Sequence, residues 1–236
     1  MDTPAADIGL AGRLTAIRAR IASAAIRSGR SPEAVRLVAV SKTFGPAAVR
    51  AAHAAGQVEF GENRVQEGLA KRAALADLPL RWHLIGHLQS NKANKVPRAF
   101  ACVQSVDSPE LLGRLSRAAD AAGAVLPVLL QVDLAGEATK SGADPAMVRA
   151  LLAQARDLGG TRVEGLMLLP PYADAPEQVR PWFARLREFR NTLLDEGTPP
   201  EQLRELSMGM SHDFEVAVEE GATIVRVGSA IFGSRT

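Results

Sequence analysis

Lys42 closes an apolar run, Leu37-Val-Ala-Val40. Apolar surroundings disfavour an ammonium, so a lysine placed there offers a neutral amine, the form that condenses with an aldehyde. A strand-end lysine snorkelling to solvent satisfies the same spacing. Two segments near the C-terminus, Ser207-Met-Gly-Met-Ser211 and Gly228-Ser-Ala-Ile-Phe-Gly233, carry the complementary chemistry. Glycine lets backbone approach a ligand closely, and exposed N–H groups with serine hydroxyls donate to phosphate oxygens. Either segment alone reads as well as an ordinary turn. An amine and two donor-rich turns together point to a phosphorylated carbonyl ligand.

Other polar residues carry weaker signals. Arg226 precedes Gly228 by two residues, so on a strand both face one side. An inward Arg226 can meet a ring nitrogen and leave it unprotonated, because guanidinium is charged and has no acceptor. An outward Arg226 under the helix layer fits equally. His83 and His87 share strand parity, but i,i+4 on a strand spans about 13 Å, too far for one zinc. No metal site is expected; a histidine packed on a flat ring, or a hydrogen-bonded strand-end histidine, fits better. Tyr172, the one tyrosine, follows Pro170-Pro171 and reads as a loop residue able to reach a site as proton donor. Asn91-Lys-Ala-Asn-Lys95 reads as a solvated turn, and Cys102 as a buried structural thiol.

These residues need a scaffold that gathers them. Eight short apolar runs alternate with helical patterns: 35–42, 58–63, 82–87, 101–106, 127–133, 163–169, 203–208 and 223–228. Helices are expected over 46–56, from 64 to 75, from Pro109, and over 145–158, 176–196 and 212–220. An amphipathic helix over Ile8–Ser28 precedes them, so residues 1–34 form an N-terminal helical extension. Near-continuous apolar strands with helical crossovers require a parallel sheet covered on its outer face. Eight of them predict a single (β/α)₈ TIM-type barrel over residues 1–236, close to the usual length of about 250. In that fold the strand C-terminal ends carry function. Lys42, Asn63, His83, His87, Asp107, Asp133, Ser207, Ser211, Gly228 and Ser229 all fall there, and the loops after strands seven and eight are its recurrent phosphate cradle.

Composition narrows the partners. Of 236 residues, 28 are basic and 26 acidic, a net charge of +2 without a block of like charges, so no nucleic-acid binding is expected. No apolar run approaches the ~18–20 residues that span a bilayer. The N-terminus, with Asp2 and Asp7, lacks a signal pattern, and a single cysteine suits a reducing compartment. The expected location is cytoplasmic. Without an obvious exposed apolar stripe, a monomer is expected.

The strings Val40-Ser-Lys-Thr-Phe44, Phe60-Gly-Glu-Asn-Arg-Val-Gln-Glu67 and Trp82-His-Leu-Ile-Gly-His-Leu-Gln89 are familiar, as are Ser207-Met-Gly-Met-Ser211, Val225-Arg-Val-Gly228 and Ile231-Phe-Gly233. In this order they closely resemble the pyridoxal phosphate homeostasis protein family, related to the N-terminal barrel of alanine racemase. The resemblance runs from about Arg36 to the C-terminus. It implies pyridoxal 5′-phosphate as cofactor, held as a Schiff base (a lysine aldimine) on Lys42. It also implies Ser207, Gly228 and Ser229 on the phosphate, Arg226 at the pyridine nitrogen, and Asn63 and His83 around the ring. Gly45 lengthens the segment after Lys42 relative to the commoner family form, and His212 stands where small or acidic residues are usual. The implied role is intracellular cofactor homeostasis with little or no turnover, apo pyridoxal enzymes being the partners. The alternative is an alanine-type racemase. There the tyrosine opposing the lysine comes from a second domain, which a chain ending beside strand eight is expected to lack.

Overall fold

Eight parallel strands close into a barrel in the order in which the chain makes them. The computed structural model describes residues 9–136 and 141–233. The strands are β1 (Arg36–Val40), β2 (Glu59–Glu62), β3 (Arg81–Leu84), β4 (Cys102–Val106), β5 (Leu126–Val132), β6 (Thr161–Leu168), β7 (Glu205–Ser207) and β8 (Ile224–Val227). Pairing of Arg36 with Ile224 through Ala39 with Val227 joins β1 to β8 and leaves no sheet edge. The helices are α1 (Leu10–Arg27), α2 (Pro46–Ala54), α3 (Val65–Ala74), α4 (Pro109–Ala121), α5 (Pro145–Ala155), α6 (Arg180–Asp195), α7 (Phe214–Glu219) and α8 (Ser229–Phe232). The expected (β/α)₈ barrel with an N-terminal helix is what the chain forms; Ile8, taken as the start of that helix, lies outside the described residues. Among the described residues no helix is long and apolar enough to cross a membrane.

Local chemistry sets the boundaries. Ser108 and Asp144 cap α4 and α5 by accepting from Leu111 N and Met147 N, each with proline at the first helical position. The helix expected over 176–196 is divided: Pro176–Val179 makes a 3₁₀ turn, and α6 starts at Arg180 with Pro181 in its first turn. Between β3 and β4 the crossover is a 3₁₀ helix, Ser90–Lys95. The helix α1 buries Leu14, Ile17, Ile21 and Ala24 and is tied to α7 by Arg20–Glu215 and Arg27–Glu219 ion pairs at 2.6 and 2.7 Å.

Two strand ends differ from expectation. β1 stops at Val40, so Lys42 sits in the turn after it, and β3 stops at Leu84, so Ile85–His87 belong to the mouth. In both places the chain leaves the ladder as its side chains reach the open end. Inside the barrel, Val38, Cys102, Leu129, Met167 and Ile224 form an apolar cluster from five strands. Cys102 is buried there, and burial pushes its thiol well above the ordinary range.

Candidate functional site

The C-terminal strand ends open on one cleft of about 760 Å³. Lys42 enters it from the β1–α2 turn, Asn63 from the end of β2, Arg226 from within β8, and Gly228 and Ser229 from the turn into α8. Five of the seven expected site residues therefore share one cavity. Asn63 is set there by a close backbone approach, since a Cβ on Gly86 would lie 2.4 Å from the Asn63 carbonyl oxygen.

The turns after β7 and β8 are joined by Ser211. Its hydroxyl accepts from Gly228 N at 3.1 Å and Ala230 N at 3.4 Å, and it lines the cleft. Gly209 makes this turn possible: it adopts φ +91°, and a Cβ there would lie 2.5 Å from Ala217 Cβ. Met210 N then donates to Asp213 Oδ1 at 2.6 Å. Phe44 stacks on Phe232, centroids 5.1 Å apart, so the turn beyond Lys42 packs on α8. His212 also lines the cleft, its Nε2 3.0 Å from the Asp174 carbonyl oxygen, and Gly45 is the extended residue leading into α2.

His83 and Ser207 are placed elsewhere. Neither lines the cleft; both are buried inside the barrel, 2% and 0% exposed, in a polar column. Arg226 Nη1 donates to Ser207 Oγ at 2.5 Å, and Ser207 donates to Gln104 Oε1 at 2.7 Å. Gln104 Nε2 donates to His83 Nδ1 at 3.0 Å, which leaves the His83 proton on Nε2, 3.5 Å from Glu59 Oε2. Every donor points away from Arg226, so the bonds polarise one another in a single sense. Arg226 Nη2 donates to Leu168 O at 2.8 Å. Burial pushes the Arg226 guanidinium down to about 10, with Asp213 opposing, so it is charged at neutral pH.

Gln104 is the column residue that sequence reading missed. Its signal is a long amide inside the apolar run Ala101–Val106, in register with inward Cys102. Of the two histidines, His87 stands at the mouth, 3.4 Å from Ser141 Oγ and 3.9 Å from Asp107 Oδ2. Tyr172 stands on the rim, 87% exposed.

A family model described as alanine racemase, N-terminal domain, matches residues 13–236. The pyridoxal phosphate homeostasis protein of Pseudomonas aeruginosa is 48% identical over 227 residues, 96% of each chain. The chain belongs to the pyridoxal phosphate homeostasis protein family. A solved structure of PipY from Synechococcus elongatus PCC7942 with PLP bound matches at TM-score 0.83 and 44% identity, covering 95% of this chain and 100% of that one. The alanine racemase of Streptomyces coelicolor A3(2) matches at TM-score 0.69 and 26% identity, covering 94% of this chain and 59% of that one. The family resemblance drawn from six short strings therefore holds over nearly the whole chain.

Proposed function

We propose that the protein binds pyridoxal 5′-phosphate in this cleft, linked covalently through Lys42, and holds it for intracellular supply with little or no turnover. One observation carries the reading: an amine, a guanidinium and a donor-lined turn share one cavity. That set fits the cofactor's three chemical ends. Lys42 supplies the amine for the aldehyde. Ser211, whose hydroxyl proton is left free among the described residues, and Ser229 supply donors for the phosphate beside Gly228, and Arg226 faces the pyridine nitrogen with Asn63 beside the ring. Ser207 and His83 act at one remove from the cofactor, Ser207 by accepting directly from Arg226 and His83 by holding Gln104 behind Ser207. Bound pyridoxal phosphate supplies an electrophilic carbon and an electron-accepting ring, and a charged guanidinium leaves that ring unprotonated and the weaker electron sink.

Naming of the relatives as homeostasis proteins supports storage over catalysis. A racemase needs a second acid/base opposite the lysine. Tyr172, the one tyrosine, is 87% exposed and makes no hydrogen bond among the described residues. Exposed Leu169, Tyr172 and Met210 give the rim an apolar edge suited to an apo pyridoxal enzyme receiving the cofactor in the cytoplasm.

Pyridoxal phosphate added to the dialysed protein is expected to give a visible absorption band at one equivalent per chain, absent from Lys42→Ala. Folded protein without that band overturns the reading. Alanine in deuterium oxide is expected to keep its α-proton, and exchange at an enzymatic rate overturns the non-catalytic part.

A further inference from the structure

The two neighbours of Lys42 are gripped from outside the barrel. On one side the Ser41 hydroxyl donates to Glu62 Oε1 at 2.6 Å, and the Ser41 carbonyl accepts from Lys71 Nζ at 2.6 Å. On the other, Thr43 N donates to Glu67 Oε1 at 2.6 Å. Lys71 joins both sides, donating also to Glu62 Oε1 at 2.6 Å and Glu67 Oε1 at 2.8 Å. Its three ammonium protons are thereby all used.

Three features set this cluster apart from an ordinary ion pair. Glu62 and Lys71 are 0% and 5% exposed, a depth at which attraction between charges rarely repays their desolvation. Burial accordingly pushes the Glu62 carboxyl up despite its bonds to Lys71 and Ser41, and its Oε2 is buried with no hydrogen-bond partner. Thr43, β-branched, is held at φ +72°, a left-handed conformation such residues avoid. Burial also raises the Glu67 carboxyl, but the bonds from Lys71 and Thr43 N outweigh it and hold the group below the ordinary range. An apolar pair would join α3 to the sheet at least as well. What the charged cluster adds is a fixed backbone on both sides of residue 42.

We propose that Glu62, Lys71 and Glu67 are positioning residues that clamp the Lys42 turn so that its amine is aimed for covalent capture of the cofactor aldehyde. This rests on the Lys42 reading above. In the capture step the amine nitrogen forms the C=N bond, and the aldehyde oxygen leaves as water with the two amine protons. None of the three side chains lines the cleft, so they act on the aim of Lys42 and leave the walls that hold phosphate and ring unchanged.

The test compares the wild type with Lys71→Met and Glu67→Ala in the full chain. On mixing with pyridoxal phosphate, the visible band is expected to rise about tenfold more slowly in Lys71→Met, and several-fold more slowly in Glu67→Ala. Affinity for pyridoxine 5′-phosphate, which has an alcohol in place of the aldehyde, is expected to stay within about twofold, because it reads the walls alone. Lys71→Met leaves Glu62 unpaired, so the double variant Glu62→Gln/Lys71→Met, which removes both charges, replaces it if the single variant is unfolded. Wild-type capture rates in these variants overturn the clamp. A matching loss of pyridoxine phosphate affinity also overturns it, by assigning the residues to the pocket as a whole. A wild type without any band overturns the Lys42 reading itself, and the clamp with it.

Discussion

Replacing Ser207 by alanine separates two roles for this residue, a phosphate contact and a link in the barrel column. The hydroxyl is fully buried, donates to Gln104 Oε1 at 2.7 Å and accepts from Arg226 Nη1 at 2.5 Å. Ser207→Ala strands one amide oxygen and one N–H of a charged guanidinium in a dry interior. An unsatisfied neutral group costs about 1–3 kcal/mol and a charged one more, so a loss of about 2–4 kcal/mol is expected once partial relaxation is allowed. That is a large fraction of a typical stability of about 5–15 kcal/mol. Guanidinium chloride unfolding of both proteins, followed by tryptophan fluorescence, measures it. The same samples titrated with inorganic phosphate are expected to give equal affinities, because Ser211 and Gly228 line the cleft and Ser207 does not. Stability within about 0.5 kcal/mol of wild type, the spread of ordinary surface changes, would refute the column, above all if phosphate binding falls.

Gly86→Ala puts a methyl 2.4 Å from the Asn63 carbonyl oxygen; it is expected to cost about 1–3 kcal/mol in denaturant unfolding and to weaken cofactor binding in an absorbance titration. Cys102 is buried with its thiol pushed up, so the thiolate is scarce at any pH near neutrality; a thiol reagent at mildly alkaline pH is expected to leave the folded chain untouched and to modify one cysteine after unfolding. Tyr172→Phe removes a hydroxyl that makes no hydrogen bond among the described residues, so the visible band and its titration midpoint are expected to match wild type.

The barrel was legible because its signals are local and repeated. Apolar runs at regular intervals, Ser108-Pro109 and Asp144-Pro145 at helix starts, and polar residues at strand ends all agree. The lining of the cleft by Lys42, Asn63, Gly228 and Ser229 follows from strand-end position, which alternation and turn residues reveal, whereas Arg226 lies within β8 and its spacing fitted an inward or an outward side equally. Depth was not legible. His83 and Ser207 lie near the strand ends too, but both turn inward onto Gln104, His83 from the neighbouring β3 and Ser207 from β7 across the barrel, and contact across the axis leaves no trace in sequence spacing. His83 and His87, alike in parity, part because β3 stops at Leu84. Lys71 was hidden for another reason: Glu67 and Lys71 at i,i+4 look like an exposed helix pair, and only the packing of α3 against Ser41 buries the lysine.

Cofactor storage and the clamp around residue 42 both rest on Lys42 as the covalent anchor. Borohydride reduction of the pyridoxal phosphate-loaded protein, followed by peptide mapping in a mass spectrometer, tests it most directly. The cofactor's mass is expected on the peptide that carries Lys42, at one per chain. Label on a peptide carrying Lys71, Lys92, Lys95 or Lys140 in its place, or no label at all, would contradict it.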